Sequence, residues 1–302
     1  MSTSFRFACA AALLLAVSAP FAHARQNDAE KVKIETTDLG NGLYMLVGAG
    51  GNIGISTGED GVVMIDDQFD WLTDKIRTAI TKISDKPIHY VINTHWHGDH
   101  TGGNGNLGKA GAVIVAHENV RTRMSTDQFM KAFDRKVPAS PKVALPVITF
   151  SENVTLHLNG QKARVMHVAH GHTDGDALIH FPKANVIHMG DLLFNGFYPF
   201  IDIDSGGNLN GVIAGQDLAF KLADDKTKII PGHGPLADKA ALKRNRDTLA
   251  TVRDRVQKLI DDGKSEDEAV AADPLKDLNE EWGGGFIKAE QMVRFAYQSL
   301  KK

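Results

Sequence analysis

Thr94-His95-Trp96-His97-Gly98-Asp99-His100 places three histidines and a carboxylate within six consecutive positions. If a strand runs into this segment, its period of two sets His95 and His97 on one side. Gly98 then lets the chain turn so that Asp99 and His100 point back toward the same space. Polar side chains converging on one point carry a heavy desolvation cost unless something binds them together. A divalent metal does this, and neutral imidazole is the commonest nitrogen ligand of zinc. Three further segments offer the same residue types, each at or just past the end of an expected strand: Gly171-His172-Thr173, Gly190-Asp191 and Pro231-Gly232-His233-Gly234. His170 competes with His172, because the two flank Gly171.

The elements that must position these residues follow from hydrophobic periodicity. Leu43 to Asp66 alternates short β-rich runs with glycine turns, at Leu43–Val47, Ile53–Thr57 and Val62–Ile65, and reads as a meander. Leu72, Ile76, Ala79, Ile80 and Ile83 share one face of a helix beginning at Asp70. Ile88 to Asn93 is the next strand and delivers the chain into the histidine segment. Further strands are expected at Ala112–Ala116, Val154–Leu158, Ala163–Ala169, Ala177–Phe181, Val186–Met189 and Lys228–Ile230, with a helix over Gly211–Leu222. Pro138-Ala-Ser-Pro141 marks a loop between two β-rich halves. After Pro235 the pattern turns helical, with a possible capping box at Ser265 and Glu268 and a last helix over Ile287–Leu300.

Composition narrows the class. Of 302 residues, 42% are hydrophobic and 24% charged, which is ordinary for a globular chain. The net charge of −3, with 34 basic residues scattered among 37 acids, leaves no basic stripe for a nucleic acid. Arg6, the apolar run Phe7–Val17 and Ala22-His23-Ala24 have the layout of a secretory signal peptide occupying residues 1–24. The run is shorter than the ~20 residues that span a bilayer, so the expectation is cleavage and a periplasmic chain with no membrane attachment. Residues 25–302 are then expected to form a single domain with C-terminal helices. Cys9, the one cysteine, lies in the segment to be removed. Any metal in the remainder must be held by His, Asp and Glu.

The His-x-His-x-Asp-His segment, followed in order by the Gly-His-Thr, Gly-Asp and Pro-Gly-His-Gly segments, resembles the metallo-β-lactamase superfamily over nearly the whole chain after residue 24. The resemblance implies an α/β chain folded as a four-layer αββα sandwich, with the site at one edge between two sheets. It implies His95, His97 and His172 as ligands of a first zinc ion and Asp99, His100 and His233 as ligands of a second. Asp191 would bridge the two. Asp99 would be catalytic, orienting a hydroxide shared by metals ~3.5–4 Å apart as it attacks a carbonyl carbon. His89, His117, His157, His167, His180 and His188 match no motif and read as core or surface residues.

Substrate is harder to read, because one fold hosts many chemistries. Export and the Gly-His-Thr segment favour a small β-lactam. Asp191 departs from the lactamase pattern, which has cysteine or serine near this position, and resembles glyoxalase II, lactonases and other ester or thioester hydrolases. The expected reaction is therefore hydrolysis of a cyclic amide or ester, β-lactam ahead of lactone. Diiron flavoproteins share the fold but typically carry glutamate where His97 stands, and imidazole there favours zinc. A non-catalytic accessory protein is disfavoured by the intact set of seven ligand candidates. Among Trp96, Phe69, Trp71, Phe194, Phe197, Tyr198 and Phe200, the polar tips of Trp71 and Tyr198 make them the expected substrate contacts. Asp202 to Gly207 reads as a solvated turn. Oligomeric state is not legible.

Overall fold

The computed structural model describes residues 29–301; the expected signal peptide lies outside them. The chain from Ile34 onward is one compact unit. Its strands are β1 (Glu35–Gly40), β2 (Leu43–Val47), β3 (Ile53–Gly58), β4 (Gly61–Ile65), β5 (Ile88–Ile92), β6 (Val113–His117), β7 (Gln128–Met130), β8 (Arg135–Val137), β9 (Ile148–Phe150), β10 (Asn153–Leu158), β11 (Gln161–His167), β12 (Ala177–Phe181), β13 (Val186–His188) and β14 (Lys228–Ile230). One sheet runs β1-β2-β3-β4-β5-β6-β9 and the other β10-β11-β12-β13-β14. Each begins as an antiparallel meander and finishes with parallel strands, from β4 onward in the first and at β13–β14 in the second. Parallel neighbours require a crossover, and the helix α1 (Thr73–Ile80) supplies the one between β4 and β5.

Strand periodicity explains how two sheets and outer helices share one chain. In β12, Ala177, Ile179 and Phe181 point into the core between the sheets, against Val63, Ile65 and Ile92 of the first. Leu178 points the other way, joining Ile187 of β13 and Ile229 of β14 beneath the helix α3. This helix, α3, is Leu209–Leu222, and α2 is the single turn Gly98–Thr101. Both faces of β12 are covered, so all five of its residues are buried. Truncating Ile179 to alanine in such a layer costs ~2–5 kcal/mol. Short helices at Asn104–Lys109 and Glu118–Met124 lie against β6. The layers are those of an αββα sandwich.

The helices α4 (Lys239–Asp261) and α5 (Ala289–Leu300) pack with α3 around Leu249, Val252, Trp282 and Met292. Asp238 caps α4 by accepting from the Ala241 N–H at 2.8 Å, and the Ser265–Glu268 capping box is present. No described helix is long and apolar enough to cross a membrane.

The expected strands lie within a few residues of their places. β1, β7, β8 and β9 were not expected; β1 has six residues that are mostly exposed, and the other three have only three residues each. One expectation about the histidine segment needs correction. β5 stops at Ile92, and His97 is the extended N-cap of α2, with φ −63° and ψ 147°. His95 and His97 therefore meet through a bend after the strand and not through strand alternation.

Candidate metal centre

The site lies where loops after β5, β11, β13 and β14 come together at one edge of the two sheets. Four of the five imidazoles there are held from behind. The Thr94 Oγ1 proton goes to Asp66 Oδ2 at 2.7 Å, so His95 Nδ1, 3.0 Å from the same hydroxyl, carries the proton of that contact. His97 Nε2 donates to Asp202 Oδ2 at 2.9 Å, His172 Nδ1 to the Phe200 carbonyl at 2.8 Å, and His100 Nδ1 to Asp66 Oδ2 at 2.8 Å. An outer N–H committed in this way fixes the ring and aims its other nitrogen inward.

The inward atoms fall into two groups. His95, His97, His172 and Asp191 form one, and Asp99, His100 and His233 the other, each with ligand atoms within 4.8 Å of one another. In the first, His172 Nε2 lies 2.9 Å from His97 Nδ1 and 3.4 Å from Asp191 Oδ2, which is 3.7 Å from His95 Nε2. In the second, Asp99 Oδ2 is 3.5 Å from His100 Nε2 and 3.3 Å from His233 Nε2. Asp191 spans both: its Oδ1 is 3.0 Å from His100 Nε2 and 3.4 Å from His233 Nε2. His233 is stacked on Phe194, with ring centroids 4.9 Å apart.

The donor set fits metal ions. His95 Nε2 is buried and has no hydrogen-bond partner, a costly state that a cation resolves. Two glycines make the close approach possible, since a Cβ on Gly51 would fall on the His100 ring and one on Gly232 on Asp191 Oδ1.

The electrostatics divide the same way. Burial, with the nearby charge of His100, pushes His95 well below its usual range, and burial takes His172 down to about 4. Burial also opposes charge on His100 and His233, but there the carboxylates prevail. Asp191 and Asp99 raise His100, and the same pair lifts His233 to about 9. Burial likewise works against the carboxylates of Asp191 and Asp99, yet the imidazolium of His100 keeps both well below the usual range. Without metal, His95 and His172 are neutral imidazoles facing one carboxylate oxygen, and the second group is a proton-bearing ion cluster.

Two expected substrate contacts are not among the residues that line the pocket over the site. Tyr198 is fully buried within the helical core beside Trp282 and does not reach the pocket lining. Trp71 stacks on Phe69 at 5.5 Å, and Phe69 is the ring that lines the pocket. Trp96 is buried under Met124 and Leu145. Asp202 does not sit in a solvated turn; it is 2% exposed and holds His97. His170 is exposed, bonded to the Gly206 carbonyl, and outside both groups. Over the site opens a pocket of about 180 Å³, lined by Phe69, Met130, Phe133, Phe200, Phe286 and Arg135 besides the ligand candidates. Asp66, Arg135 and Phe286 were not anticipated, being single residues with no local motif.

A family model described as the metallo-beta-lactamase superfamily matches residues 46–234, a span that contains all seven ligand candidates. The chain belongs to this superfamily. Hydroxyacylglutathione hydrolase from Pelagibacter ubique is 26% identical over 163 residues, 52% of this chain and 57% of the relative. Metallo-beta-lactamase type 2 from Bacteroides fragilis is 25% identical over 173 residues, 54% of this chain and 57% of the relative. The chain spans little more than half the length of either. Among solved structures, the metallo-beta-lactamase from Pontibacter korlensis aligns with a TM-score of 0.59 at 19% identity, covering 72% of this chain and 99% of its own. The inverting sec-alkylsulfatase from Pseudomonas sp. aligns with a TM-score of 0.64 at 18% identity, covering 88% of this chain and 50% of its own. The fold is thus common to the superfamily, whose relatives of this chain include hydrolases.

Proposed function

We propose that the protein is an exported two-zinc hydrolase that opens a cyclic amide or ester, with β-lactam ring opening as its leading activity. The observation that carries this reading is Asp191, whose Oδ2 faces His95 and His172 while its Oδ1 faces His100 and His233. Zinc ions held by the two groups would supply a nucleophile at neutral pH and a Lewis acid for the carbonyl. The rest falls to the chain's own residues. Asp99, partly exposed at the floor of the pocket, is placed to orient the attacking water. Phe69 and Phe200 exclude bulk water from the ligand cluster. Similarity to the Bacteroides fragilis lactamase, together with the Gly171-His172-Thr173 segment, supports the β-lactam substrate.

A second reading, lactone or other ester hydrolysis, is favoured by the carboxylate at Asp191 and by similarity to the hydroxyacylglutathione hydrolases. The deciding experiment is one hydrolysis screen of penicillin, cephalosporin, carbapenem, lactone and thioester substrates. The zinc-loaded protein would be run beside His97→Ala and His180→Ala. Turnover of a β-lactam that is lost in His97→Ala and kept in His180→Ala supports the first reading. Turnover confined to lactones or esters selects the second, and equal loss in both variants removes the site assignment.

A further inference from the structure

β7 and β8 form a two-stranded hairpin beside the pocket, paired Gln128↔Val137, Phe129↔Lys136 and Met130↔Arg135. Cross-strand partners share a face, so Met130, Arg135, Gln128 and Val137 lie on one side and Phe129 and Lys136 on the other. The first side faces inward. Met130 and Val137 pack on the cluster around Trp96, while Met130 and Arg135 line the pocket. The turn is tied down where Lys131 Nζ meets Asp204 Oδ1 at 2.8 Å.

Arg135 is the one lysine or arginine among the pocket's lining residues. It is exposed, and among the described residues no carboxylate is paired with it. Around it stand aromatic rings from three separate parts of the chain: Phe69 before α1, Phe133 in the hairpin turn, and Phe286 before α5. Phe133 and Phe286 are 42% and 53% exposed, although Phe133 leans on Phe200 at 4.8 Å and Phe286 on Phe194 at 6.2 Å. Large rings left half in water around a single unpaired guanidinium form a surface complementary to an apolar group carrying an anion.

We propose that Arg135 is a specificity-determining residue, selecting substrates that carry a carboxylate beside an aromatic or other apolar arm. The guanidinium would receive the carboxylate, and Phe133 and Phe286 would cover the arm. This rests on the hydrolase reading for its biological meaning, but the binding preference can be measured without turnover. Because the hairpin register decides which cation faces the pocket, Lys136 on the opposite face provides an internal control of equal charge.

The test is calorimetric binding of 4-phenylbutyrate and of its uncharged amide to the zinc-loaded protein, to Arg135→Gln and to Lys136→Gln. The expected result is preference for the carboxylate, weakened about tenfold in Arg135→Gln and unchanged in Lys136→Gln, with amide binding the same in all three. Phe133→Ser should weaken both ligands together. Equal weakening in the two charge variants would reduce the effect to net charge and overturn the proposal, as would no carboxylate binding to the unaltered protein. A failed hydrolysis screen with the Arg135 preference intact would remove the proposed reaction and leave this site standing.

Discussion

Asp66 and His100 are both wholly buried, and Asp66 Oδ2 accepts from His100 Nδ1 at 2.8 Å. Asp66 also receives the Thr94 N–H and hydroxyl at 2.7 Å. One carboxylate at the end of β4 therefore orients a ring of the second group directly and, through Thr94, a ring of the first. Asp66→Asn keeps the shape but loses part of this pattern. The expected outcome is a second zinc bound ~10–100-fold more weakly, read by calorimetric titration. Two zinc ions bound with unchanged affinity would show that Asp66 plays no positioning part.

Asp191→Asn keeps the side-chain shape but removes the charge shared by both groups. The second zinc should again weaken by ~10–100-fold while the first, with three imidazoles, stays occupied. Added zinc should restore part of the hydrolytic rate. Unchanged affinity at both sites would remove the bridging role from Asp191.

Zinc loading should release protons in two unequal steps. In the first group His95 and His172 are neutral near pH 7, because burial holds His95 low and His172 at about 4. In the second, His100 is raised and His233 stands at about 9, so zinc must displace protons there. Affinity for the second zinc should therefore climb with pH up to about 9, and the first should change little. Stability of the metal-free protein runs the other way. A histidine lifted from 6.5 to about 9 contributes stability that is complete below 6.5 and lost as pH rises through 9. Titrations in buffers of different ionisation enthalpy would count the protons, and equal release in both steps would contradict the division.

Tyr198→Phe tests the corrected role of that residue. Its hydroxyl is buried without a hydrogen-bond partner, and burial pushes its pKa up to about 12. Removing it should stabilise the fold by roughly 1 kcal/mol and leave every hydrolytic rate unchanged. Urea unfolding and the substrate screen would measure both. A specific loss of turnover would return Tyr198 to the pocket.

The parts of this protein legible in its sequence are those encoded locally. His95, His97, Asp99 and His100 stand out because four ligand-type side chains within one turn of chain have no ordinary structural use. The β12 and β13 strands are legible because β-branched and large apolar residues cluster between turn signals. Asp66 and Asp202 carry no such mark, since each becomes meaningful only through a partner 34 or 105 positions away. Tyr198 and Trp71 were misplaced because aromatic residues serve core and pocket alike, and their chemistry does not say which. The β7–β8 hairpin escaped because its strands are short and mostly exposed.

The seven candidate ligands are attached to strands of both sheets, and His100 and His233 are 133 positions apart. Each group draws ligands from both sheets, so a cation held in it is also a clasp across the seam of the sandwich, added to hydrogen bonds such as those from Asn52 to Pro231 and Gly234. Loading and folding become one linked equilibrium: metal at a hundred times its dissociation constant adds about 2.7 kcal/mol to the native state. The protein's persistence in a metal-poor environment is then governed by the same atoms as its chemistry, and a chelator acts on architecture as well as on rate.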